Sequence, residues 1–114
     1  MQIVRDEISI KELKKMSEKM FESLVKAVVD IEQGIMVVDA SMHADEEFFL
    51  LENESHQENL WGINLFPDKW NKEDFIVFDS IINLRPSQGN RSRSVENQKI
   101  REQIIAIVNR LVKP

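Results

Sequence analysis

Two β-branched runs, residues 27–31 and 35–40, stand three residues apart, and the third spacer is Gly34. Extended runs of this kind read as strands. A three-residue connection closes a hairpin when its last position takes a left-handed backbone, which glycine adopts without steric cost. The spacing therefore predicts an antiparallel hairpin, around which the remaining chain has to be arranged.

Helical signals stand on both sides of it. Ser9 and Glu12 have capping-box spacing, and Ile8 and Leu13 occupy the positions of a hydrophobic staple. Leu13, Met16, Met20, Leu24 and Ala27 recur at three and four residues and predict a helix over about residues 10–25. Ile100, Ile104, Ile107, Val108 and Leu111 form the apolar stripe of a second helix, about 97–112, with Asn97 or Ser94 as its N-cap. Residues 2–8 read as a short strand. Residues 44–52 and 58–66 are expected to pair as a second hairpin, although the run 46–52 suits a strand or a short helix equally. Residues 67–74 read as a surface loop with at most one helical turn, and 75–84 as the longest strand. Ile63-Asn64-Leu65-Phe66-Pro67 is echoed by Ile82-Asn83-Leu84-Arg85-Pro86, and each proline would stop a strand. If those strands pair, Asn64 and Asn83 share a face. The order predicts one α+β domain spanning residues 1–114. Its mainly antiparallel sheet has about five strands, and two main helices pack on one face.

The 114 residues suffice for one core without metal or disulfide support. There is no cysteine, so disulfides, thiolate zinc sites and a thiol nucleophile are excluded. No apolar run approaches the ~18 residues of a membrane span, and the N-terminus lacks the layout of a secretion signal. A cytoplasmic protein with no membrane partner is expected. The net charge of −5 argues against nucleic-acid binding by the whole surface. Charge is nonetheless segregated. Residues 39–58 carry seven acids and no Lys or Arg, whereas the ten residues 85–94 carry three arginines and no acid. The alternative is two solvated loops of opposite sign.

The loop Arg85-Pro86-Ser87-Gln88-Gly89-Asn90-Arg91-Ser92-Arg93-Ser94 is the strongest candidate site. Guanidinium groups hold phosphate or carboxylate in a two-pronged geometry, and the following helix N-terminus favours anions. Gly89 permits an outward turn of backbone amides. The expected ligand-binding set is Arg85, Ser87, Gln88, Asn90, Arg91 and Arg93, with Asn64, Asn83 and Asp79 beside them. Walker-type and dinucleotide spacings are absent. The opposing reading is a loop whose arginines bridge to the protein's own acids and carbonyls. His43 and His56 match no metal spacing, and no metal or cofactor is expected; as a pair they would suit acid–base cleavage of a phosphodiester. Trp61 and Trp70 read first as packing anchors.

Leu60-Trp61-Gly62-Ile63-Asn64-Leu65-Phe66-Pro67, together with Asn83-Leu84-Arg85-Pro86-Ser87-Gln88-Gly89-Asn90-Arg91-Ser92-Arg93, resembles a family of small uncharacterised prokaryotic proteins of unknown function. The resemblance extends over about residues 8–111. It implies a stand-alone domain and brings no activity, cofactor or catalytic residue with it. Three functions are compatible with these residues. The first is binding of a phosphate-bearing small molecule or RNA through loop 85–94. The second is a small enzyme on phosphorylated or nucleic-acid substrates, with Asp79 or His43 as acid or base. The third is a homodimeric interaction module.

Overall fold

A computed structural model describes residues 1–114. Strands β3 (Val25–Asp30) and β4 (Ile35–Val38) form the predicted hairpin. Gly34 takes φ +68°, and the Asp30 carboxylate accepts the Glu32 and Gln33 amides at 2.9 and 3.0 Å, which ties the turn. β1 (Gln2–Val4), β5 (Leu60–Leu65) and β6 (Ile76–Val77) complete a five-stranded sheet of order β1-β4-β3-β5-β6. Every pairing in it is antiparallel.

Alternation sorts the side chains onto two faces. Val25, Ala27, Val29, Met36, Val38, Trp61, Ile63 and Leu65 face α1 (Ile10–Ser17) and α3 (Gln98–Leu111), which contribute Leu13, Ile104, Val108 and Leu111. The two predicted helices thus lie on one face. Val28, Ile35, Val37 and Leu60 form a smaller cluster on the other face under α2 (His43–Glu52), through Leu50 and Phe49. Each Val, Ile, Leu, Met or Phe among them contributes roughly 1.5–3 kcal/mol on burial. A parallel pair, β2 (Ile8–Ser9) with β7 (Val112–Lys113), joins the start of α1 to the end of α3. No helix is long and apolar enough to cross a membrane.

Three elements depart from expectation. The first helix stops at Ser17, not near residue 25, because the chain from Val25 onward is drawn into the sheet as β3; turns carry the chain across, Ser23 adopts φ +56° and Phe21 is fully exposed. No second hairpin forms. Residues 43–52 are helical, with Asp45 in the dipole-favoured first turn, and β5 pairs along its whole length with β3. The expected long strand over 75–84 reduces to β6, after which the Ser80 hydroxyl accepts the Ile82 amide and caps a 3₁₀ turn, Ile81–Asn83.

Candidate functional site

β5 has a complete partner in β3, but β6 covers its other edge only at Asn64 and Leu65. The buried backbone groups at Leu60 and Gly62 need other partners. Asn83 supplies them as a one-residue strand. The Gly62 amide donates to its Oδ1 at 2.8 Å, and its Nδ2 donates to the Gly62 carbonyl at 2.9 Å and the Arg93 carbonyl at 3.0 Å. The chain lies so close that a Cβ on Gly62 would stand 2.6 Å from Ser80 Cβ.

Arg85 continues the closure. Its Nε donates to the Ile82 carbonyl, and Nη1 to the Gln57 carbonyl and to Gln88 Oε1, at 2.9, 2.8 and 3.2 Å; Nη2 donates to the Leu60 carbonyl. The guanidinium stacks 4.6 Å over the Trp61 ring and stands 3.8 Å from Glu47 Oε2. Burial lowers its proton affinity, and the Glu47 carboxylate opposes that. Asn90 is also buried. Its Nδ2 donates to the carbonyls of Asn83, Ser92 and Ser94, and its Oδ1 accepts the Glu96 amide. Gln88 Nε2 donates to the Glu58 carbonyl at 3.2 Å. Arg85, Asn83, Asn90 and Gln88, expected to face an incoming anion, are therefore turned onto the protein's own carbonyls. The reason is chemical: the fork of donors that suits phosphate suits several converging carbonyls as well.

The other residues stay outside. Ser87 is exposed, and the Arg91 side chain makes no hydrogen bond or ion pair; only its backbone amide is engaged, by Glu96 Oε2. Arg93 Nε donates to Asp79 Oδ1 at 2.7 Å with both side chains about half exposed. Asn64 Nδ2 reaches the Asp79 carbonyl at 3.0 Å, and Asn64 Oδ1 is buried without a partner. Lys26, directly opposite Asn64 on β3, forms no ion pair. His43, in the first turn of α2, has Nε2 2.8 Å from the Ile63 carbonyl. Its pKa is lowered, first by burial; the Ile63 carbonyl opposes this, Lys26 and Arg93 lower it further and Asp79 raises it. Lys26, His43, Asn64, Asp79 and Arg93 thus gather at one end of the sheet, on the α2 side. His56 precedes β5 at its opposite end, so the histidines do not form an acid–base pair.

The chain matches a family model described as Protein of unknown function (DUF5674) over residues 2–111. It belongs to that family. No curated protein and no solved structure matches it. The two segments that carry the resemblance, 60–67 and 83–93, face each other across the β5 edge: Gly62 against Asn83, and Leu60 and Trp61 against Arg85.

Sequence reasoning missed two members of the α2 side. Lys26 carries no motif. Glu46 is completely buried; its Oε2 accepts the Ala40 amide at 3.2 Å and its Oε1 has no partner. Burial pushes its pKa up to about 9, against the Ala40 amide and Lys26, so it is neutral near pH 7. The available signal was spacing: His43, Glu46 and Leu50 fall three and four apart, on one stripe of a helix.

Proposed function

We propose that this protein binds a phosphate-bearing group, of a nucleotide or of RNA, at the solvent-facing end of loop 85–94. The observation that carries this reading is that two cations without partners, Lys26 and Arg91, accompany the half-exposed Asp79–Arg93 pair. A weak, exposed ion pair is readily re-partnered, because it is worth about 0–1 kcal/mol in water. Arg91 and Arg93 supply guanidinium forks and Lys26 a point charge. Arg85, Gln88, Asn83 and Asn90 hold the loop in shape. An open rim of this kind suits an RNA backbone better than an enclosed mononucleotide. Calorimetric titration with inorganic phosphate, AMP and a short single-stranded RNA tests it. Expected are RNA binding that weakens about tenfold or more in Arg91→Ala/Arg93→Ala, and a falling affinity as salt rises. Absence of binding for all three ligands at about 10 mM, weaker than about −3 kcal/mol, removes the proposal.

A second reading is self-association, favoured by four exposed apolar side chains on adjoining elements. Phe48 (62%) and Leu51 (38%) lie on α2, and Ile81 (58%) and Leu84 (43%) on or beside the 3₁₀ turn it touches. Such patches mark interaction surfaces. Exposed acids Asp45 and Glu52 lie on α2, and Arg91 and Arg93 lie on the loop that follows the turn. In a two-fold pair the acids of one copy would meet the arginines of the other. Light-scattering masses for the wild type and for Phe48→Ser/Ile81→Ser test this reading. A wild-type mass of one chain at about 100 μM, weaker than about −5 kcal/mol, overturns it.

A further inference from the structure

A different part of the molecule carries a cleft that neither the loop nor the β5 edge uses. It opens between β6, the segment between 3₁₀ turns Pro67–Lys69 and Glu73–Phe75, and α3, with a volume of about 410 Å³. That falls within the ~300–1,000 Å³ of small-molecule sites. Its apolar walls include Trp70, Phe75, Phe78 and Ile105. Phe78 is also held by Arg101, whose guanidinium lies 4.5 Å from the ring centre. Arg101, Ile105 and Asn109 are spaced at four residues on α3, so one row of the helix steadies Phe78 and lines the opening.

The polar groups of the cleft are uncommitted. Asn71, Asn109, Lys72 and Glu73 line it, and none of their side chains makes a hydrogen bond or ion pair within the protein. This contrasts with Asn83 and Asn90, whose amides are fully engaged elsewhere. Asn71 also sits at φ +69°, in the left-handed region. Aromatic faces accept a flat ring by stacking, and a carboxamide can pair with a donor–acceptor edge such as that of adenine.

We infer that this cleft is a second binding site, for a planar heteroaromatic ring with a hydrogen-bonding edge, of the nucleobase class. The ring stacks between Trp70 and Phe78 over the buried Phe75, and its edge meets the Asn71 and Asn109 carboxamides. No phosphate is required, so the site is independent of Lys26, Arg91 and Arg93.

Nitrogen-15 NMR titration with adenosine reads it directly, with indole as the ring lacking the paired edge and inorganic phosphate as the anion lacking a ring. The expected result is movement of the Trp70 indole and the Asn71 and Asn109 carboxamide signals by adenosine, with a Kd near about 1 mM or tighter. Asn109→Ala should weaken adenosine about tenfold, and Ile105→Trp, which fills the cleft, should abolish the shifts while the spectrum stays that of the folded chain. Phosphate should leave these signals in place even if it binds at Arg91 and Arg93. The inference is overturned by any of three results: no shift of these signals with adenosine, indole binding as tightly as adenosine, or unchanged adenosine affinity in folded Ile105→Trp.

Discussion

Asn83 shows how much one side chain can determine. Its carboxamide offers a donor and an acceptor at the spacing of a peptide group, so it completes the β5 edge where no strand continues. Asn83→Asp keeps the shape but faces the Gly62 and Arg93 carbonyls with an oxygen; urea unfolding should show a loss of about 3 kcal/mol. Gly62→Ala should cost about 2 kcal/mol through the Ser80 clash, and Gly62→Ala/Ser80→Gly should recover part of that, since Ser80 is the atom group in the way. Glu46 bears on pH. Between its ordinary 4.5 and about 9, the folded chain holds a proton that the unfolded chain has released, so this residue lowers stability as pH rises through that window. Glu46→Gln should therefore gain over the wild type as pH rises, by on the order of 3 kcal/mol near pH 7. His43 acts oppositely: its pKa is depressed, so its contribution falls as pH drops below 6.5. At this scale the Asn64/Asn83 echo suggested two similar strand ends, but only Asn64 is in a strand; Asn83 stands in a 3₁₀ turn. Arg85 was misread because residue type records what a guanidinium can bind, not which partners surround it.

Elements were legible where local signals stood alone. Ser9 accepts the Glu12 amide at 3.0 Å and Asn97 the Ile100 amide at 3.1 Å, as their spacing predicts. Asn97→Ala should lower stability by about 1 kcal/mol, read as a shift in the urea midpoint. Elements were misread where a long-range partner won. Residues 18–23 carry helical periodicity, yet the hairpin claims the chain from Val25 onward. Residues 78–84 have a strand-like composition, yet Ser80 and Asn83 bend them away to seal the β5 edge. α2 was ambiguous because Phe48, Phe49, Leu50 and Leu51 form a run without period, which strands and short helices share.

For the molecule as a whole, β3 is the centre. It lies between β4 and β5, its residues from Ala27 to Asp30 are all buried, and helices cover both faces of the sheet. Amide hydrogens at Ala27 to Val29 should exchange most slowly, near the rate set by global unfolding, and those of residues 18–23 and 86–89 fastest. The charge map is less divided than the sequence suggests. Glu46 is buried and neutral near pH 7, and Glu47 lies beside Arg85, so the acidic segment and the basic loop are joined inside the protein as well as exposed on it. By itself the sequence determined the hairpin, the Ser9 cap, the packing of α1 and α3 on one face and the α+β class, because those follow from period, turn chemistry and propensity over neighbouring residues. Only the tertiary structure decided which polar groups of loop 85–94 face water and which close the β5 edge. Every donor in that loop is competent for either task, and the choice depends on which distant carbonyls the fold brings within 3 Å or so of it.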